Sequence, residues 1–479
     1  MTRTTSALLT DLYELTMMQG YYHYDLNPRV VFDMFFRKQP FQGGFSVFAG
    51  LEEVLTLLRD LHFSDEDIDY LSGLGLFSEG FLEYLRNFRF QGDIYAVPEG
   101  TVVFPQEPLI RIHGTLIECQ LIESLLLNIV NFQTLIATKT ARIYLAAHGG
   151  KVLEFGLRRA QGIDGALSAS RAAYIGGAAA TSNTLAGERY RIPVSGTMAH
   201  SWVMAFGDEE EAFERFAELY PDKTTLLIDT YDTLHSGIQN AIKVGKRLMA
   251  EGRPFAVRLD SGDIQYLSMQ VRRSLDRAGL TEAKIAASNE LNEDIIHQLV
   301  TDGAPIDLWG VGTHLVTGGT ESSFSGVYKL CAREEDGEFR PTMKFSDNPE
   351  KSTNPGIKQI YRFHDETGSP LADLVAFADE QIDETGTFTF HHAFVAYRHF
   401  RLKAPGPVKP LLIPYVKQGE ILGDLPSLQE IQTLTRSNLD ALDGTFKRII
   451  NPHIYKVSIS DAVKQTKESI LKRHLGNGV

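Results

Sequence analysis

Between Lys151 and His314, short apolar runs recur with gaps long enough for one helix each. The runs are Lys151–Phe155, Arg191–Val194, Thr224–Ile228, Phe255–Leu259, Lys284–Ala287 and Ile306–Val311; Leu234–Glu251 and Gln265–Ala278 are gaps of helical length. A parallel strand pair needs a crossover of a dozen or more residues, so this spacing predicts βα units on a parallel sheet. Each run is followed by a polar cluster able to do chemistry. In order these are Arg158-Arg159, Thr197 with His200, Asp229 with Asp232, Asp260-Ser261-Gly262-Asp263, Ser288-Asn289-Glu290, and Gly312-Thr313-His314. Ligand-handling groups at many strand ends favour a β/α barrel over a sheet with one Gly-rich turn. Six runs are too few for a full eight, so the barrel is expected to be irregular or incomplete.

The flanks have another rhythm. Residues 1 to about 90 read as mainly helical, with Ser64 before Asp65, Glu66 and Asp67 as an N-cap and acidic first turn. Gly92–Phe104 and Pro108–Gly114 are short β runs broken by Pro and Gly, which predicts a small antiparallel sheet. From about residue 325 the β pattern returns at Val327–Leu330, Glu338–Phe345, Gln359–Phe363 and Phe388–Phe394; from about Ser427 the chain reads as helical and charged. His391, His392 and His399 have no zinc-like spacing and read as surface-strand residues, and Asp208-Glu209-Glu210-Glu211 reads as the start of a helix.

Bulk properties exclude several classes. The most apolar stretch, Leu121–Ala137, is interrupted by Glu123, Asn128, Asn131 and Gln133, so it predicts a buried helix and no membrane span. Residues 1–5 lead into an amphipathic segment without a signal-peptide core, and the two cysteines, Cys119 and Cys331, make no disulfide framework. A cytoplasmic location is expected. A net charge of −14 argues against a nucleic-acid binder, though local arginines still decide affinity for a small phosphorylated substrate.

Within the barrel segment, Gly156-Leu157-Arg158-Arg159-Ala160-Gln161-Gly162 offers guanidinium groups suited to phosphate oxygens; alone, such a pair is more often a solvated surface feature. Ser195-Gly196-Thr197-Met198-Ala199-His200-Ser201 sets a histidine among hydroxyls past a strand end, where ligand contact and ordinary packing are equally compatible with the local sequence. Val257-Arg258-Leu259-Asp260-Ser261-Gly262-Asp263 joins a cation to two carboxylates, fitting an anionic ring substituent, a ribose diol and Mg²⁺–pyrophosphate. Trp309-Gly310-Val311-Gly312-Thr313-His314, running into Val316-Thr317-Gly318-Gly319-Thr320, lets backbone N–H groups approach a phosphate, which barrels commonly hold near their last strands.

These motifs, in this order, resemble nicotinate phosphoribosyltransferases along most of the chain. The resemblance begins at Ala7–Met17 and Phe35-Phe36-Arg37, and continues through Glu154–Gly162, Gly196–Ser201, Arg258–Asp263 and Gly312-Thr313. It extends to Met343–Ser346, Asn354-Pro355-Gly356 and Tyr361-Arg362; Met198, where Leu is expected, is a conservative departure. It implies a type II phosphoribosyltransferase fold of class α/β: an irregular, incomplete β/α barrel with a second, split α+β domain. The expected division is 1–114 as N-terminal helical segment and β part of the split domain, 115–325 as barrel, 326–426 as β-rich return to the split domain, and 427–479 as helical extension.

The same resemblance implies nicotinate, phosphoribosyl pyrophosphate and ATP as substrates, with Mg²⁺ as cofactor and no direct protein ligand to it assigned. It implies no nucleic-acid or membrane partner and a homodimer with shared active sites. Tyr13 and Phe155 would sandwich the pyridine ring, with Thr197 and Arg258 on the nicotinate carboxylate and Ser182 and Asn183 where amide-using relatives carry an Asp. Thr313 would hold the ribose 5-phosphate, while Gly312, Gly318, Gly319 and Arg158 are phosphate-binding candidates from the local sequence reading above. Asp260 would stabilise the developing ribose charge beside Arg258, and His200 would be the residue phosphorylated by ATP. The rival readings are a nicotinamide- or quinolinate-using relative, a non-catalytic regulatory homologue, and an unrelated phosphate-binding barrel enzyme. The last would call for a Schiff-base lysine or an acid–base pair at a strand end, and none stands out.

Overall fold

The recurrent apolar runs form a parallel sheet in the computed structural model, which describes residues 6–382, 385–395, 397–403 and 405–475. The chain divides into two units, Ile136–Ser322 and the paired ends Met1–Leu135 with Ser323–Val479. In the first unit, β1 (Lys151–Glu154), β2 (Ala180–Thr181), β3 (Thr224–Leu227), β4 (Phe255–Leu259), β5 (Lys284–Ala287) and β6 (Leu308–Val311) lie in the order β2-β1-β6-β5-β4-β3. Every pairing is parallel. Leu153, Thr225, Ala256, Ala286 and Leu308, from five different strands, face one cavity, so the sheet curls around it as an incomplete barrel.

Helices Ile238–Ala250, Ile264–Arg277 and Glu293–Thr301 occupy the gaps between strands. Ile238, Ala241, Val244 and Leu248 bury one helical stripe in a core shared with Leu226, Val257 and Ile285. One expected strand is corrected. Arg191–Val194 is not a strand: Arg191 sits at φ 57 and ends the helix Thr184–Tyr190, and Pro193 has no N–H to give to a ladder. Only Val194 bridges to Thr181, and the second strand is the shorter Ala180–Thr181.

The second unit carries a seven-stranded antiparallel sheet in the order 338–341, 326–335, 29–36, 110–115, 93–96, 413–417, 420–421. Its strand Arg29–Phe36 lies in the stretch expected to be mainly helical. Seven of its eight residues are buried, and the acid in the middle, Asp33, is met by Lys358 Nζ at 2.8 Å. The expected pairing of Asp93–Ala96 with Ile110–Thr115 is present. A six-stranded sheet holds Pro370–Phe377 beside Lys456–Ile459, so the stretch after Ser427 contributes a strand as well as helices.

Local signals act as the sequence suggests. Ser64 Oγ accepts from Asp67 N and Ser64 N donates to Asp67 Oδ2, a reciprocal cap. Asp208 caps the helix Glu209–Leu219. The surface-strand reading is corrected at two histidines: His391 is buried, with Nε2 2.7 Å from Asp461 Oδ1, and His392 lies just past the strand Thr387–His391, where its Nδ1 accepts from two backbone amides. Among the described residues, no helix is long and apolar enough to cross a membrane.

Candidate active site

Arg258, Asp260, Ser288 and His200 gather where β4 ends. Arg258 donates from Nε to Ser288 Oγ at 2.8 Å, from Nη2 to Asp260 Oδ1 at 2.8 Å, and from Nη1 to Met198 O at 3.4 Å. Ser288 Oγ also donates to Asp260 Oδ1. Burial alone would raise the Asp260 carboxyl, but the Ser288 hydroxyl and the Arg258 charge outweigh it and hold it below its ordinary value. Asp260 is therefore a carboxylate at neutral pH, with Oδ2 left facing His200 Nε2 at 3.9 Å. His200 opens the helix His200–Phe206, and its Nδ1 stands 3.1 Å from Thr230 Oγ1. Asp229, at the end of β3, accepts from Asp260 N at 2.8 Å and Ser261 Oγ at 2.6 Å through Oδ2, while its buried Oδ1 has no partner.

A cavity of about 750 Å³ opens beside this cluster, and Phe155, Thr197, Ser182, Arg258 and Ser288 are among its walls. The Arg258 guanidinium lies 5.9 Å from the Phe155 ring centre, placing a cation against an aromatic face. The ring rests on Gly310, where a Cβ would stand 2.7 Å from Phe155 Cδ2, so any larger residue would displace it. Glu154, 1% exposed, fixes the backbone on both sides of Phe155 by accepting from Gly156 N, Ser170 Oγ and Thr181 Oγ1. Ser182 borders the cavity, whereas Asn183 is 2% exposed and its Oδ1 caps the helix Thr184–Tyr190 through Ala186 N.

Arg158 is exposed in the turn Leu157–Arg159 after β1. Gly312 and Thr313 follow β6, and Thr317 Oγ1 closes the next turn onto Thr313 O at 2.7 Å. Gly318 and Gly319 both have positive φ, 75° and 63°, which a side chain would disfavour. Tyr13 belongs to the other unit, on the helix Leu12–His23, and is 50% exposed. Partial burial and a hydrogen bond with Glu14 push its phenol pKa up.

Residues 8–131 match the nicotinate phosphoribosyltransferase (NAPRTase) N-terminal domain, and residues 357–467 match the nicotinate phosphoribosyltransferase C-terminal domain. A nicotinate phosphoribosyltransferase of Bacillus subtilis (strain 168) is 44% identical over 460 residues, covering 95% of this chain and 93% of the relative. The chain belongs to the nicotinate phosphoribosyltransferase family. The Caenorhabditis elegans nicotinate phosphoribosyltransferase is 37% identical over 522 residues, covering 96% of this chain and 92% of that one. The crystal structure of human nicotinic acid phosphoribosyltransferase superposes with a TM-score of 0.83 at 30% identity, covering 96% of this chain and 99% of that one.

For this member of the nicotinate phosphoribosyltransferase family, four site residues gain a part that sequence reading did not give them: Glu154, Asp229, Thr230 and Ser288. Asp229 and Ser288 already stood in polar clusters after strands, and that position was the available signal. Glu154 and Thr230 are visible only through their partners in space.

Proposed function

We propose that this chain joins nicotinate to phosphoribosyl pyrophosphate, forming nicotinate mononucleotide and pyrophosphate for NAD biosynthesis, and couples the step to ATP hydrolysis through a phosphohistidine at His200. The observation that carries the reading is the Arg258–Ser288–Asp260 cluster beside a cavity walled by Phe155 and Thr197, in a chain whose relatives are named for that activity.

The nicotinate ring nitrogen has a free lone pair, so no general base is required. As its bond to the ribose anomeric carbon forms and the bond to pyrophosphate breaks, positive charge grows on the sugar. Asp260, held ionised by Ser288 and Arg258, stabilises that charge, and Phe155, Arg258 and Thr197 receive the ring and its carboxylate. Ser288 and Met198 O hold the guanidinium in place before substrate arrives. The Asp260 carboxylate and the partnerless, buried Asp229 Oδ1 fit Mg²⁺, a hard cation taken by one or two carboxylates plus substrate phosphates. Asp260 and Asp229 would hold the ion, which would supply positive charge against the departing pyrophosphate.

The enzyme works as a homodimer in which Tyr13 of a partner subunit completes the ring sandwich against Phe155. Cys119 and Cys331 are unpaired and buried, which fits a reducing, cytoplasmic setting. The test is product formation from labelled nicotinate or nicotinamide with phosphoribosyl pyrophosphate, with and without ATP. Nicotinate mononucleotide forming preferentially, with ATP stimulating the yield, is expected; equal turnover of the amide, or no product, overturns the reading.

A further inference from the structure

Lys139 lies on the helix Glu123–Ala146, is 5% exposed, and places Nζ 2.5 Å from Glu293 Oε2. Arg142, one turn further on, donates from Nε to Glu293 Oε1 at 2.9 Å. Glu293 is the first residue of the helix Glu293–Thr301 and directly follows the loop that leaves β5. Lys139 is thereby tied to the β5 loop. It also faces the β6 loop, because a Cβ built on Gly319 would stand 3.3 Å from Lys139 Nζ and 3.4 Å from His314 Nδ1. His314 reaches back across, with Nε2 3.5 Å from Glu290 Oε2.

The β5 loop holds non-glycine backbone that does not persist unaided, while the β6 loop turns on two glycines that adopt the left-handed region freely. Asn289 and Glu290 have φ of 85° and 21°, and Gly318 and Gly319 have φ of 75° and 63°. Non-glycine residues stay in such conformations only where their surroundings over-determine them. Here the surroundings are a buried cation, the acid it pairs with, and an imidazole linking the two loops. A buried ammonium is also screened less than a surface one, so an arriving phosphate still feels it.

We propose that Lys139 is a positioning residue for the phosphoribosyl substrate. Through Glu293 on one side, and His314 with the Gly318-Gly319 turn on the other, it sets the spacing of the β5 and β6 loops that admits the substrate's 5-phosphate. The inference rests on the function proposed above and on the Gly312–Gly319 loop as the phosphate cradle. Lys139 need not touch the phosphate. Loss of a purely structural contact would affect stability, or both substrates together, whereas loss of loop spacing affects one substrate.

The experiment is steady-state kinetics for each substrate in Lys139→Met, Lys139→Arg, His314→Gln and Gly312→Val. Lys139→Met is expected to raise KM for phosphoribosyl pyrophosphate by about tenfold, with kcat and KM for nicotinate changing less than about threefold. Lys139→Arg, which keeps the charge, should recover most of the loss. His314 is one-third exposed, so His314→Gln should fold and shift the same parameter in the same direction even if Lys139→Met does not fold. Gly312→Val tests the underlying reading separately. If it leaves KM for phosphoribosyl pyrophosphate unchanged, the loop is not the phosphate cradle and that reading fails. If it raises this KM while neither Lys139→Met nor His314→Gln does, or if those variants raise both KM values equally, the role of Lys139 is overturned.

Discussion

His200 turns its two ring nitrogens to different neighbours: Nδ1 to Thr230 Oγ1 at 3.1 Å and Nε2 to Asp260 Oδ2 at 3.9 Å. The ring stands beside the Arg258–Ser288–Asp260 cluster without being one of its hydrogen-bonded members. His200→Ala should therefore abolish ATP-dependent phosphorylation and ATP hydrolysis while leaving a slow transfer that needs no ATP. Parallel assays of orthophosphate release and nucleotide formation check this. A variant that still hydrolyses ATP in step with product would remove His200 from the coupling.

Tyr13 is half exposed on its own helix, and the proposed shared site sets its ring in a neighbour's barrel. Tyr13→Ala and Arg258→Ala should each be inactive alone. Mixed after subunit exchange, they should regain part of the wild-type rate, because hybrid dimers carry one intact site. Absence of any recovery, with exchange verified, counts against shared sites.

The acid-over-amide choice should depend more on Ser182 than on Asn183. Ser182 borders the cavity, whereas the Asn183 carboxamide is spent on the helix cap at Ala186 N and lies 3.4 Å from Ser170 Oγ. A carboxylate at 182 would repel the nicotinate carboxylate and accept from the nicotinamide amide. Charge-assisted hydrogen bonds are worth ~1.5–3 kcal/mol, so Ser182→Asp should move the kcat/KM ratio toward nicotinamide by about 10- to 100-fold. Asn183→Asp should move it less. An unchanged ratio in both would mean that other residues discriminate.

The barrel was legible because its signal is periodic and polar groups able to do chemistry fall at strand ends, as with Arg258, Asp260, Gly312 and Thr313. Arg29–Phe36 was harder. With both faces buried, it lacks the alternation that marks a half-exposed strand, and Asp33 interrupts it with a charge whose 2.8 Å ion-pair partner, Lys358, lies far along the chain. Arg191–Val194 carried a strand-like composition, but a left-handed Arg191 and Pro193 overrode it. Glu154 was unreadable for a different reason: its worth lies in Gly156, Ser170 and Thr181 converging on one buried carboxylate, and no one-dimensional pattern encodes that.

Lys467 supplies a pH test. Burial, then the like charge of Lys358, lowers its pKa to about 8, and Nζ donates to Asn354 Oδ1 and Ala393 O, both at 3.1 Å. The unfolded lysine keeps its proton to about pH 10.4. Between these values the unfolded chain binds more protons, so this residue makes stability rise with pH, by about 1.4 kcal/mol per pH unit at most. Denaturant unfolding at pH 7.5 to 10 should show that increment in the wild type relative to Lys467→Met, which removes the titration. Equal pH slopes in the two proteins would refute it.

The interior strand Arg29–Phe36 also has a consequence for the making of the protein. It pairs on one side with Ile110–Thr115 and on the other with Gly326–Glu335, where Cys331 Sγ donates to Val31 O across 300 positions. At ~5–20 residues per second, a ribosome needs roughly 15–60 s to supply that second partner. For that interval the nascent chain carries an apolar strand with one open edge, a template for association with other chains. The whole of Ile136–Ser322 emerges within the same interval. The barrel unit can therefore be folded while the sheet of the other unit still waits for its last strands, and a cell crowded with such nascent chains must keep that edge covered in the meantime.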